Sequence, residues 1–339
     1  MAAALRAYPV EVTWLFTGRP REGLFDMQLF GDYQHRHGLS FTTRAGKLRY
    51  GATVRNNKLP RFMREVRELD LDAYDLLVCD YEPVLAHAAR RQGRRTIGIG
   101  HQYAFGDSTP RTGGSWLQEQ ILQRFAPAEV PIGLHWYPYA DNVLPPILDL
   151  PELPVSRGEH LLVYLPFEDQ EAVTAILQQF PQHRFVQYSA SLVDEERSNV
   201  SRRKADIAGF KQCLAGSGGV ICNSGFELIS ECLQWRKPVL TKPLAGQMEQ
   251  HSNALALELL GYANTAPVFD ASALESWLAS RHRTAEVHFP DVAARLARWL
   301  AGGCRETAAA LARELWQRPL PQKIPAPRPG GRRRAALPA

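Results

Sequence analysis

Long apolar runs are missing from this chain of 339 residues. None approaches the roughly 20 residues that a helix needs to cross a bilayer. Cysteine is scarce: Cys79, Cys213, Cys222, Cys232 and Cys304 include no Cys-x-x-Cys pair. That argues against a structural zinc site or a disulfide framework, and for buried, reduced thiols in a cytosolic protein. The opening MAAALRAYPV has neither an apolar core nor a cleavage pattern, so no secretory signal is expected. No Gly-x-x-x-x-Gly-Lys-Ser/Thr loop is present, and no Gly-x-Gly-x-x-Gly follows a strand-like run, which sets aside two common nucleotide-binding loops. Acids are missing from one segment. From Arg318 onward the chain holds Arg318, Lys323, Arg328, Arg332, Arg333 and Arg334 and no Asp or Glu, so the rest of the chain carries a net charge of about −1. That Pro- and Arg-rich end has no periodicity, and residues 319–339 are expected to be disordered. Such a tail suits weak contact with anionic lipid at the inner face of a membrane; no specific nucleic acid partner is expected.

What is present is alternation. Apolar residues make up 45% of the chain and charged residues 22%, as in a soluble globular protein, and the length suits two domains. Short strand-like runs at Val10–Phe16, Asp75–Asp80, Arg95–Gly100 and Gly133–Tyr137, with a weaker one at Leu39–Thr43, alternate with helical periods near Leu59–Leu69, Val84–Arg91 and Trp116–Phe125. Five prolines between Pro138 and Glu159 interrupt the pattern. A second set follows at His160–Leu165, Arg184–Ser189, Gly219–Cys222 and Pro238–Thr241, and three helical periods close it near Ala273–Ser280, Val292–Leu300 and Glu306–Trp316. This predicts an α/β protein of two Rossmann-like, doubly wound domains with a cleft between them. The expected division is residues 1–140, a linker at 141–158, a second domain at 159–304 and a terminal helix at 305–318.

The stretch from Gly218 to Gly261 is the most specific. An apolar run ends in Asn223-Ser224-Gly225, a helical period follows from Phe226, then a second apolar run, the loop KPLAGQMEQ and a helix closed by Gly261. The Asn-Ser-Gly turn offers backbone N–H groups and a hydroxyl at a helix N-terminus, which suits a phosphate. Glu231 lies two helical turns after Ser224 on the same face, where it can accept from a ribose hydroxyl. Gln247, Glu249, Gln250 and Asn253 cluster where the loop enters its helix and suit hydrogen bonds to a sugar. In the first half, Asp80 and Glu82 follow one strand-like run and His101 and Gln102 the next, where open α/β sheets place ligands. Asp80 and His101 are the candidates for a base; Glu82 and Gln102 are candidates on the acceptor side. Asp70-Leu71-Asp72 is a formal Asp-x-Asp metal signature, but it ends a helical period before a strand and is expected to cap. No metal and no cofactor is expected.

The order Ser224-Gly225, Ser230-Glu231, Gln247-x-Glu249-Gln250-x-x-Asn253-Ala254 resembles the donor-binding half of nucleotide-sugar glycosyltransferases of GT-B architecture. The enzyme that adds N-acetylglucosamine to the peptidoglycan lipid precursor is similar. An uncharacterised bacterial and archaeal family of glycosyltransferases is more similar still. The resemblance spans about Lys204 to Gly261 strongly and Val10 to Ser189 more weakly. It implies a metal-independent, inverting enzyme that moves a sugar from a nucleoside diphosphate donor, UDP-linked and of the N-acetylglucosamine kind, to an acceptor such as a glycan, lipid or small molecule. It also implies that Ile207 and Phe210 bracket the nucleobase. An epimerase or hydrolase of nucleotide sugars, or a non-catalytic nucleotide-sugar binding protein, uses the same donor half. The family begins with an apolar strand and a Gly-rich loop containing a His, which feed a helix that MAAALRA would finish. That first strand is expected to be missing from this chain and to be encoded upstream of Met1, where the loop's His would supply the base.

Overall fold

A computed structural model of the chain describes residues 1–24, 27–40, 43–44, 47–48, 57–114, 116–280 and 286–316. The tail expected at 319–339 and part of the weak strand candidate Leu39–Thr43 lie outside the described residues.

The first half opens with helix α1 (Ala2–Leu5) and strands β1 (Trp14–Phe16) and β2 (Tyr33–His35), which pair in parallel. A two-residue hairpin, β3 (Thr43–Arg44) and β4 (Lys47–Leu48), follows, then α2 (Leu59–Glu68). A four-stranded parallel sheet is built from β5 (Leu77–Cys79), β6 (Thr96–Gly100), β7 (Val130–Leu134) and β8 (Val143–Leu144), with α3 (Pro83–Arg91) and α4 (Trp116–Arg124) as crossovers. Only Trp14–Phe16 of the expected Val10–Phe16 strand is paired, and β2 has too polar a sequence to read as a strand. β8 falls inside the stretch expected to be linker. Its pairing with β7 carries the first sheet to Leu144.

The second half is a seven-stranded sheet in the order β11-β12-β10-β9-β13-β14-β15. Its strands are β9 (His160–Tyr164), β10 (Arg184–Ser189), β11 (Glu195–Arg197), β12 (Val200–Lys204), β13 (Gly219–Asn223), β14 (Val239–Lys242) and β15 (Asn264–Thr265), all parallel except β11. Helices α5 (Gln170–Leu177), α6 (Ile207–Gly216), α7 (Phe226–Gln234) and α8 (Met248–Leu260) connect them, and α9 (Ala271–Ala279), α10 (Val292–Ala301) and α11 (Ala308–Leu315) follow. β9, β13 and β14 are almost wholly buried, as their apolar sequences require of central parallel strands.

Both sheets share one core. A single apolar cluster runs from Ile97, Ile132 and Leu144 through Trp136 and Phe226 to Val220, Leu257, Trp299, Leu311 and Leu315. The last helix crosses back to the first half, where Trp316 Nε1 donates to Val143 O at 2.7 Å. The connecting segment is fastened from below. Lys237 is 2% exposed, and its ammonium donates to the carbonyls of Ser156, Ala215 and Ser217. One cation thereby satisfies three acceptors from the connector, α6 and the turn after it. Lys237→Met keeps the stem and deletes the donors. It should lower unfolding stability by about 3 kcal/mol, because buried carbonyls are left unpaired. Chemical denaturation measures this, and a change below about 0.5 kcal/mol would show that the connector does not need the cage.

Candidate functional site

The carboxyl ends of β5, β6 and β7 face the carboxyl ends of β9, β13 and β14, and side chains from both halves meet there. On the second half, β13 ends in Asn223 and α7 starts at once. Its N-cap, Gly225, makes no side-chain cap and has open space where a Cβ would be. The first-turn N–H groups of α7 therefore have no partner within their helix, and the positive end of its dipole points into the cleft. The expected phosphate-binding hydroxyl is not there. Ser224 is fully buried, its Oγ is 2.9 Å from Thr241 Oγ1, and its backbone N–H donates to Lys242 O. Gly225, with the N–H groups after it, is what the turn offers.

Two of the expected sugar ligands are used internally. Gln250 is 5% exposed and its Oε1 accepts from Leu244 N–H, which closes the KPLAGQ loop. Asn253 is fully buried, meets His101 Nε2 through Oδ1 at 2.8 Å and donates from Nδ2 to Ser224 O at 3.0 Å. Gln247, the uncapped N-cap of α8, and Glu249 in its first turn stay partly open to the cleft. Glu249 accepts from Gln102 Nε2 at 3.3 Å, so this acceptor-side candidate spans the two halves. Glu231 of α7 is already paired with Lys211 of α6, whose ammonium also donates to Asp149 O of the connector, and both side chains are largely covered. Burial pushes its carboxyl up, and Lys211 opposes the shift. Ile207 is half exposed at the start of α6, whereas the partly buried Phe210 packs edge-on against Tyr164 and Tyr188 at the border of the core.

The first half contributes a different residue from the one its chemistry suggests. His101 is 6% exposed, both ring nitrogens have partners (Leu134 O and Asn253 Oδ1, each at 2.8 Å), and the ring stacks on Phe226 at 3.9 Å. It is not placed to take a proton from an acceptor. Glu82 caps α3: its two oxygens accept from Val84 and Leu85 N–H, and Thr17 Oγ1 donates to it as well. Asp80 is free of such duties. The next residue, Tyr81, has a left-handed φ of 48° and is anchored through its hydroxyl to Leu122 O, which turns the chain sharply after β5. Asp80 keeps contact with solvent while the mass of both halves desolvates its carboxyl. That raises it to about 6, and Glu227, facing it from the start of α7, adds to the shift. Asp70 accepts from Asp72 N–H in a local turn, as a capping reading requires.

Several residues at the cleft carry no sequence signature. Lys242, at the end of β14, pairs with Glu168 after β9. His251 is held toward its neutral form by burial, with Lys242 pushing the same way. Arg19, after β1, acts on Tyr164 of β9 from the opposite half; burial raises the Tyr164 phenol and Arg19 opposes it. Ser230, which reads as part of a donor motif, accepts from Trp136 Nε1 at 2.8 Å and so belongs to the seam between the halves.

Comparison with known proteins fits this geometry. No curated protein matches the chain. Among solved structures, CalG4, the calicheamicin glycosyltransferase, superposes with a TM-score of 0.55 at 14% identity, covering 92% of this chain and 92% of its own. The spinosyn forosaminyltransferase SpnP gives 0.52 at 14% identity, covering 94% and 90%. UGT2 of Phytolacca americana, complexed with UDP-2fluoro-glucose and pterostilbene, gives 0.53 at 13%, covering 92% and 89%. Identities this low establish the fold, two Rossmann-like domains in the GT-B arrangement. The pattern of glycosyl transferase family 1 matches residues 4–281, and the chain belongs to that family of glycosyltransferases.

Proposed function

We propose that the protein transfers a sugar from a UDP-linked donor, N-acetylglucosamine being the candidate sugar, with inversion and without a required metal. The diphosphate sits on the N-terminus of α7, where the first-turn N–H groups and the helix dipole stabilise charge on the leaving group. Asp80 is the base. It takes the acceptor hydroxyl's proton as that oxygen attacks the anomeric carbon and the bond to the diphosphate breaks. The observation that carries this reading is Asp80, a solvent-reachable carboxyl raised to about 6 and facing the first turn of α7. A base of that strength is half ionised just below neutral pH. Glu231, oriented by Lys211, accepts from the ribose, Ile207 lies against the nucleobase, and Gln247 and Glu249 face the sugar. UDP as the nucleotide is supported by the complex of Phytolacca americana UGT2 with a UDP-sugar. The acceptor is a glycan, lipid or small molecule; pterostilbene in that complex is of the last kind.

We propose further that another parallel strand completes the first sheet between β1 and β5. Among the described residues β1 pairs only with β2 and β5 only with β6. Yet Leu15 packs on the cluster that contains Leu77, and Thr17 bonds to Glu82 across the interval. Both edges, unpaired among the described residues, thus border one apolar cluster, and Val78 of β5 is 39% exposed. Hydrogen exchange tests this: with both edges of β5 paired, all three amides of Leu77–Cys79 should exchange slowly. Fast exchange at the amides that do not bond to β6 would contradict the added strand.

Asp80→Asn should abolish transfer while UDP still binds. In the parent enzyme kcat/KM should rise with pH and level off above an apparent pKa of about 6, because the base works only when deprotonated. Steady-state kinetics checks both; full activity in the variant would return the search for the base to other groups. Glu231→Gln should weaken UDP binding by about 1.5–3 kcal/mol, the scale of a hydrogen bond to a charged group. It should also lower the melting temperature, because Lys211, left with only the Asp149 carbonyl, loses its carboxylate partner. Calorimetry with UDP decides the point, and unaltered affinity would remove Glu231 from the site.

A further inference from the structure

The turn after β6 is shaped to bring one ring across the cleft. β6 ends at Gly100, and His101–Ala104 form a 3-10 turn lying flat on β7. A Cβ at Gly133 would stand 2.6 Å from Ala104 Cα, so glycine at that point of β7 is what lets the turn seat. The seat brings His101 Nδ1 to 2.8 Å from Leu134 O, and Nε2 to 2.8 Å from Asn253 Oδ1, 152 residues away on α8.

The donors and acceptors of this chain fix its protons. Leu134 O can only accept, so Nδ1 carries a hydrogen. Ser224 O can only accept, so the Asn253 amide nitrogen faces Ser224 and its oxygen faces His101. An oxygen at Nε2 requires a hydrogen there too. A neutral ring has one N–H and cannot satisfy both partners. The ring also lies parallel to Phe226, the first residue of α7, at 3.9 Å and 8°, a placement that favours a cation over an aromatic face.

We propose that His101, as an imidazolium, is a positioning residue that locks the donor turn: its charge holds Asn253, and Asn253 holds the Ser224 carbonyl from which α7 begins. The proposal rests on the donor reading above. The only titratable side chain in ring contact with His101 among the described residues is His135 of the turn after β7, at 5.3 Å. Burial holds His135 neutral, with His101 pushing the same way. Around this pair stand Glu249 of α8, which reaches the neighbouring Gln102, and Glu227 of α7, which faces Asp80. Breaking the bridge at either bond releases the turn, so UDP should bind more weakly once it is broken.

Ring-nitrogen NMR of the full chain, combined with calorimetric titration of UDP, tests this. In the parent protein both ring nitrogens of His101 should carry hydrogen at pH 7. Asn253→Asp keeps an acceptor for Nε2 but loses the donor to Ser224 O, so both ring hydrogens should stay while UDP binds more weakly. Asn253→Leu should bind UDP about tenfold more weakly, the scale of one lost hydrogen bond to a charged group. If Asn253→Leu does not fold, His101→Gln, which keeps one amide donor, takes its place with the same expectation. A single ring hydrogen on His101 at pH 7 overturns the proposal, as does unchanged UDP affinity in Asn253→Leu. If the parent binds no UDP at any pH, the donor reading fails, and the bridge itself is still decided by the ring nitrogens.

Discussion

The seam between the two halves is the constraint on which the rest depends. Trp136, fully buried at the end of the first sheet, donates to Ser230 and packs against Phe226. His101 stacks on the same Phe226 and bonds to Asn253. Phe226 is also the first residue of the helix whose uncapped N-terminus is the proposed anion site. Packing, domain placement and donor geometry therefore pass through one residue cluster. Polar groups inside such a cluster have a specific purpose: an apolar seam would allow sliding, whereas directed hydrogen bonds allow one register. Because unmade bonds are costly in a dry interface, the two sets of strand ends are held at a fixed separation.

That separation gives the cleft its chemistry. Asp80 is exposed enough to meet an acceptor and surrounded enough to become a stronger base than a surface aspartate. Glu227 raises it further from the other side of the cleft. The same acid stands in the first turn of α7, so on the proposed reading the diphosphate's counter-charge comes chiefly from the backbone dipoles of that helix, Lys242 being paired with Glu168.

Much of the fold was legible because central parallel strands are apolar throughout. VICN, PVLT and HLLVY could only be buried strands, and Gly261 could only end a helix, which it does with a φ of 67°. The strands that escaped are polar ones. β12 reads VSRRK, and it is a strand because Arg202 and Arg203 pair with Glu171, Glu195 and Glu196 of neighbouring elements. The loops that meet between the two halves were legible, and the partners of their polar residues less so. Ser224, Gln250, Asn253 and His101 are polar residues in the right loops, which reads as ligand binding. Each instead finds its partner inside the protein, and for His101 and Asn253 that partner lies 152 residues away. Sequence spacing carries no such information. Glu227 escaped because an acid in a helix's first turn is ordinary, and only the fold shows that it faces Asp80.

The central claim is that the open N-terminus of α7 is the anion site. Backbone amide chemical shifts recorded as UDP is added test it most directly. Phe226, Glu227 and Leu228 should move first and farthest, with Gln247 and Glu249 following. Saturable shifts confined to another surface, with the α7 amides unmoved, would contradict it.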